Sequence, residues 1–248
     1  MSFRIALIAA LAPNQSIGHA DALPWRMPRD MQFFRRTTFH HVVVMGRRTF
    51  ESLGCRPLPK RVNVILSRTK SYDRPDVLVA RGVDEAIDIA RSHSRRERFF
   101  VIGGGSVYEQ LSTLADELYL TQIEPNDPRQ QPLFGEEFYG DTFFPSLRPG
   151  GWDLCHVSRR YRALDSLHPK WEVSPARFYF RFFKYARRSA GGCTDREKTQ
   201  VARMISHGER IIFPARFGPP RQLPLLRDTQ LSKENAAVHF VPLDESRR

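Results

Sequence analysis

The chain begins with "RIALIAALA", a continuously apolar run closed by "PN", as expected of a strand buried on both faces and stopped by a turn. Five more runs of this kind follow: "HHVVVMG", "RVNVILS", "DVLVA", "RFFVIGGG" and "ELYLTQI". Helical periodicity separates several of them, over Met27 to about Phe39, Thr49–Leu53, Val83–Ser92 and Ser106–Ala115. Strands alternating with helices require crossover connections, so the pattern predicts an α/β fold with a mainly parallel central sheet and flanking helices.

Near Pro125 the pattern changes. The segment 125–140 has three prolines and no periodicity, and reads as a long surface loop. Then "GWDLCHVSRRYRAL" and "ARFYFRFFKYARR" alternate with a period of two and predict a C-terminal antiparallel strand pair, the second strand having one wet, basic face. "SAGG" follows as a joint. The expected division is a domain over 1–188 and a basic extension over 189–248, partly disordered, with one helix at "DREKTQVARMI".

The formal net charge is +12, an excess that attracts nucleic acids, anionic membranes or phosphorylated ligands. It is not a tail effect: residues 156–188 carry nine Lys or Arg against two acids, and 189–248 carry ten against seven. Interleaved aromatics make a nucleic-acid groove one reading of the first segment, and a solvated basic face the other. Nucleic acid is not the expected partner. No apolar run is long enough to span a membrane, and the N-terminal residues lack the marks of a signal peptide. Three widely spaced cysteines, Cys55, Cys155 and Cys193, argue against a disulfide framework or a zinc site. The expectation is a cytoplasmic monomer with no metal.

In "LPWRMPRDMQFF" (23–34) a single acid, Asp30, stands among a tryptophan, two methionines and two phenylalanines. Pro28 suits the first position of a helix, which puts Asp30 in the first turn, where the helix dipole favours a negative charge by about 0.3–1 kcal/mol. Phe33 and Phe34 follow at three and four residues on the same face. Two readings stand: a surface acid serving the dipole, or an acid lining an apolar pocket.

Ligands of open α/β sheets bind at the carboxyl ends of the strands. After "VVVM" come Gly46, Arg47, Arg48 and Thr49; after "NVIL" come Ser67 and Arg68. Cations and hydroxyls there, with amides at a helix start, favour an anion. After "FFVI" comes "GGGSVYEQL", where Ser106 and Glu109 have capping-box spacing and three glycines allow close approach of backbone to a ligand. This is not the usual dinucleotide fingerprint, because Tyr108 stands where a third glycine belongs. Several arginines suit a dinucleotide with an extra phosphate, so NADPH is expected ahead of NADH.

Taken in order, "LIAALA" (7–12), "IG" (17–18), "LPW" with Asp30, "VMGRRTFESLG" (44–54), "RPLPKRVNVILSR" (56–68), "VIGGGSVYEQ" (101–110), "LYLTQI" (118–123) and "DTFFP" (141–145) resemble the dihydrofolate reductase family over roughly residues 3 to 188. The reductase of riboflavin synthesis is similar at the glycine turn, but "LPW…D" and "RPLPKR" favour the folate enzyme. The resemblance implies hydride transfer from NADPH to C6 of 7,8-dihydrofolate with protonation at N5. It implies that Asp30 is the ionisable group of the pterin pocket, its pKa raised by burial beside Met31, Phe33 and Phe34, and that Thr121 helps hold it. Leu23 and Trp25 belong to the loop 17–27 that closes over the nicotinamide. Ile8, Met31, Phe34, Leu53, Leu58 and Ile102 are implied around the pterin and benzoyl rings, and Arg61 at the glutamate α-carboxylate. Ala10, Ile17 and Gly18 are implied at the nicotinamide. For the rest of the cofactor the implied residues are Gly46, Arg47, Arg48, Thr49, Ser67 and Arg68, with Gly103, Gly104, Gly105, Ser106, Val107 and Tyr108. Cys55 looks like an insertion able to shift Arg61. The family's Gly103–Gly104 peptide is cis.

Overall fold

The computed structural model describes residues 3–23, 25, 27–124, 140–147, 150–163 and 178–206. The loop expected over 125–140 falls outside them except for Gly140, as do the connection 164–177 and the chain from 207 onward.

Strands β1 (Arg4–Leu11), β3 (Val42–Gly46), β4 (Val62–Leu66), β5 (Val77–Ala80), β6 (Arg98–Val101) and β7 (Glu117–Glu124) are the six apolar runs of the sequence. They lie in the order β7-β1-β6-β3-β4-β5 with every pairing parallel. Helices α1 (Pro28–Thr38) and α2 (Arg47–Ser52) cover one face, where Phe33, Phe34 and Phe50 join Ile8, Met45 and Ile65. Helices α3 (Val83–His93) and α4 (Gly105–Ser112) cover the other, packing Ile87, Ala90, Val107 and Leu111 on Leu7, Val44 and Val101. A short antiparallel pair, β2 (Ser16–Gly18) with β8 (Thr142–Phe143), stands apart from the main sheet.

Beyond β7 the sheet turns antiparallel through β11 (Tyr179–Arg187). The "GWDLCHVSRRYR" run is two strands, β9 (Trp152–Val157) and β10 (Tyr161–Arg162), both paired to β11. Ser158 makes the break: its N–H donates to the Phe182 carbonyl and its Oγ accepts from the Phe182 N–H, each at 2.9 Å.

The wet basic face expected of β11 is not there. β11 is an interior strand, and its charges are tied into the protein. Arg181, 2% exposed, bonds Glu124 at 3.1 Å, and Arg160 bonds the other oxygen of the same carboxylate at 3.1 Å. Lys184 pairs with Glu197 at 2.9 Å and Arg188 with Asp153 at 2.7 Å. Arg187 donates to the carbonyls of Ala115 and Ser112 and lies 4.5 Å over the Trp152 ring.

The sequence reading also misjudged the cysteines, for Cys155 on β9 and Cys193 form a disulfide, with Cα atoms 5.2 Å apart and a sequence separation of 38. The odd count arises because Cys55 is free. Spacing hid the pair, since only the fold of β9 against β11 brings the two together. The helix expected at "DREKTQVARMI" is α5 (Asp195–Ser206); it packs on β9, and Val201 and Ala202 are buried. Residues 189–206 are thus packed onto the sheet rather than trailing from it.

Candidate functional site

Pro28 opens α1, and Asp30 in its first turn is buried. Both phenylalanines, at three and four residues, pack on the cluster of Ile8, Met45 and Phe50, and Phe33 also stacks on Phe182 with ring centres 4.1 Å apart. Asp30 is left facing the ends of the central strands. There Thr121 Oγ1 on β7 donates to Asp30 Oδ1 at 2.6 Å. Burial pushes the Asp30 carboxyl up to about 6, against the lowering effect of that hydrogen bond.

Met31, beside Asp30 in sequence, is itself open to solvent. It is 51% exposed, and Leu23 (43%) and Leu53 (38%) are likewise open to solvent, so these three stand at a mouth rather than in a core. Trp25 and Met27 are buried and pack with Ile123, Phe178 and Phe180. The Ile8 carbonyl accepts a hydrogen bond from the buried Tyr108 hydroxyl at 2.6 Å, which ties α4 to the middle of β1. Ala10 pairs with Thr121 across β1 and β7, and Ile102 is half-buried beside Phe34 and Leu58.

Arg61 is fastened at three points: Nε donates to Thr38 Oγ1 at 2.8 Å, Nη2 to the Arg35 carbonyl at 3.1 Å and Nη1 to the Pro59 carbonyl at 2.9 Å. The turn carrying it is stapled by buried Asn63, which accepts from the Leu58 N–H at 2.9 Å and donates to the carbonyls of Leu58 (3.0 Å) and Arg61 (3.2 Å). Cys55 adopts a left-handed conformation, φ 54°, and its carbonyl takes a bond from Arg74 at 2.9 Å.

The turns after β3 and β6 meet where the Gly46 N–H donates to the Gly103 carbonyl at 2.8 Å. The Gly103–Gly104 peptide is cis. A side chain at Gly103, φ 111°, would press on the Tyr108 ring at 3.2 Å, and one at Gly104 on Thr49 Oγ1 at 3.3 Å. Ser106 does not cap α4 as its spacing to Glu109 suggested: the helix begins at Gly105, Gly104 is its cap, and Ser106 is exposed. Val107 is buried under Gly46. Ser67 is buried at the end of β4, with Arg68 exposed beside it and Arg47, Arg48 and Thr49 at the start of α2. Backbone bare of Cβ, two hydroxyls and a set of cations fit a pyrophosphate with an additional phosphate.

The loop 17–27 is described except for Pro24 and Arg26. Ile17 and Gly18 lie on β2, and residues 19–22 form a closed turn with reciprocal 2.9 Å bonds between His19 and Ala22. Asp141 holds this turn, accepting from the Ala20 N–H at 2.8 Å, with His19 Nδ1 at 3.9 Å. Sequence reasoning did not single out Asp141, although "DTFFP" contains it. Asn63, Glu51 and Lys70 were also missed, because polar residues near strand ends carry no signal until their partners are known.

Nucleotide-dependent oxidoreductases of the α/β class place an ionisable group and a phosphate cradle around one row of strand ends in this way. The family model for dihydrofolate reductase matches residues 4–169. A dihydrofolate reductase from Haemophilus influenzae is 38% identical over 149 residues, 60% of this chain and 83% of the relative. A type 3 dihydrofolate reductase from Salmonella typhimurium is 41% identical over 148 residues, 60% of this chain and 82% of the relative. Among solved structures, a dihydrofolate reductase from Enterococcus faecalis complexed with NADP(H) and RAB-propyl matches with a TM-score of 0.58 at 29% identity, over 75% of this chain and 98% of that one. The chain belongs to the dihydrofolate reductase family.

Proposed function

We propose that the protein reduces 7,8-dihydrofolate to 5,6,7,8-tetrahydrofolate with NADPH, and that Asp30 is the group that holds and releases the proton. The observation that carries this reading is the buried Asp30 carboxyl, bonded to the Thr121 hydroxyl whereas the buried Glu117 and Glu124 are paired with arginines, and raised to about 6, so that part of it is protonated near neutral pH. NADPH, when bound, supplies the hydride for C6. Asp30 accepts hydrogen bonds from the 2-amino and N3 side of the ring, with water carrying the proton on to N5. Leu23 and Trp25 shield the reacting face, and Ile8, Met31, Phe34, Leu53, Leu58 and Ile102 border the rings. Arg61, held by Thr38 and the Arg35 and Pro59 carbonyls, takes the glutamate carboxylate as a fixed fork. Ala10, Ile17 and Gly18 flank the nicotinamide; Gly46, Thr49 and Gly103–Tyr108 meet the pyrophosphate; Arg47, Arg48, Ser67 and Arg68 take the added phosphate.

The test follows nicotinamide absorbance with dihydrofolate in wild type and Asp30→Asn. Turnover that depends on Asp30 supports the reading. Turnover only with a riboflavin-pathway pyrimidine substrate would replace the substrate and keep the fold. The nucleic-acid alternative has less behind it once the basic residues of β11 are seen engaged within the protein. A cytoplasmic monomer is part of the same proposal, read out by sizing the protein in reducing and non-reducing buffer.

A further inference from the structure

Glu51 on α2 holds a cation with each carboxylate oxygen. Arg47 Nη1 donates to Oε2 at 2.7 Å and Lys70 Nζ to Oε1 at 2.6 Å. The two cations come from neighbouring strand ends, Arg47 after β3 and Lys70 in the turn after β4, whose pairing runs up to Gly46 and Leu66, and the carboxylate bridges the two turns just beyond it. The Lys70 turn is itself well defined. Its N–H donates to Ser67 Oγ at 3.0 Å, and Arg81 Nη1 bonds the carbonyls of Ser67 and Lys70 at 2.9 and 3.0 Å.

Ser67, Arg68 and Arg47 are the groups assigned above to the added phosphate, and Lys70 touches that set from both sides: through its amide to Ser67, and through Glu51 to Arg47. A phosphate monoester carries close to two negative charges at neutral pH and three acceptor oxygens. It matches this pair of cations better than one carboxylate does. We propose that Lys70 is a further ligand for the 2′-phosphate of the cofactor, and that Glu51 is an internal counter-ion which holds Lys70 and Arg47 together until the phosphate takes them over. The pair then sets the preference for NADP(H) over NAD(H): Lys70 raises it, and Glu51, a like charge beside the incoming dianion, lowers it. The bonds from Lys70 and Arg47 hold the Glu51 carboxyl below the usual range, so it remains ionised wherever the protein works. The inference rests on the cofactor reading above.

Binding of NADPH and NADH, and of 2′,5′-ADP and 5′-AMP, is measured by calorimetry at low and moderate salt on wild type, Lys70→Met, Lys70→Arg and Glu51→Gln. Lys70 is exposed, so its variants are expected to fold, which circular dichroism checks. Lys70→Met weakens NADPH and 2′,5′-ADP by roughly three- to tenfold, the size expected of a solvent-exposed charge contact. It leaves NADH and 5′-AMP within about twofold on the same basis. Lys70→Arg keeps most of the difference, and Glu51→Gln strengthens the 2′-phosphorylated ligands alone. Equal loss for both dinucleotides in Lys70→Met, or weaker NADPH binding in Glu51→Gln, overturns the proposal. Absence of dinucleotide binding to the wild type is a separate failure, because it removes the cofactor reading as well.

Discussion

Thr121 Oγ1 donates a 2.6 Å hydrogen bond to Asp30 Oδ1 across 91 residues of sequence, from β7 to the first turn of α1. A hydroxyl that donates stabilises the ionised carboxylate, while burial favours the neutral acid, and the balance places Asp30 at about 6. Removing the hydroxyl in Thr121→Val leaves burial unopposed, so the carboxyl titrates higher. If the protonated acid is the active form, single-turnover hydride transfer in the wild type falls about tenfold per pH unit above its midpoint. In Thr121→Val the midpoint moves to higher pH. In Asp30→Asn the pH dependence disappears and the rate at neutral pH drops by about 10²–10⁴. A profile in Thr121→Val displaced to lower pH would contradict the assignment.

The same carboxyl costs stability. Its folded-state value, about 6, lies above the ordinary aspartate value of 3.8. The protonated acid is therefore preferred in the fold, its stabilising effect is complete below 3.8, and it is lost as pH rises through about 6. At pH near 7.5 the ionised, buried Asp30 is a penalty on the order of 2–3 kcal/mol. Asp30→Asn removes the titrating group, so thermal unfolding of the variant gains on the wild type between acid and neutral pH. A difference in melting temperature independent of pH would count against the burial argument.

Asn63 is buried, and its side chain makes the only bonds described here between the Leu58 backbone and the start of β4. Asn63→Ala frees the turn that aims Arg61 and strands the Leu58 N–H, a loss of about 1–3 kcal/mol in stability. The kinetic signature is a raised KM for dihydrofolate with kcat little changed, since Arg61 lies far from the reacting carbons in the proposed pose. A fall in kcat at constant KM would show that the turn serves the chemistry instead.

Chain truncation separates the two parts of the region beyond β11. Ending the protein at residue 188 removes Cys193, Val201 and Ala202, all buried, together with the Lys184–Glu197 pair. That truncation is expected to lower yield and melting temperature, whereas ending at residue 206 retains them. Reduction of Cys155–Cys193 in the full chain lowers stability by about 2–4 kcal/mol, as does Cys193→Ser. If reductant leaves the melting temperature of the wild type unchanged, α5 is held by packing alone.

Much of the site was legible because its residues sit at element boundaries that short apolar runs define. The six parallel strands could be read from their hydrophobicity, and the positions just after β3, β4 and β6 followed from the rule that ligands meet strand ends. Asp30 stood out as an acid among aromatics, but taken alone it read first as a surface acid serving the helix dipole, and its burial against Thr121 is visible only in the fold. The residues that went unseen are those that act on another residue. Asp141 closes the 19–22 turn, Asn63 staples the Arg61 turn, and Glu51 bridges two strand ends. Each has partners remote in sequence or unmarked by type.

The sequence by itself determined the strands, the α/β class and the side chains available at each strand end, because hydrophobic period and turn residues are local properties. Tertiary structure decided where charge and sulfur went. Alternation in "RFYFRFFKYARR" predicts a wet face only if nothing packs across or beside it. In the fold Arg181 meets Glu124 of the neighbouring β7, α5 packs on β9 and brings Glu197 to Lys184, and Arg187 meets the carbonyls at the end of α4 and beyond. The disulfide likewise joins residues whose proximity exists only after the sheet has turned antiparallel. A buried charge and a crosslink both depend on distances in space, which a periodic pattern along one chain does not encode.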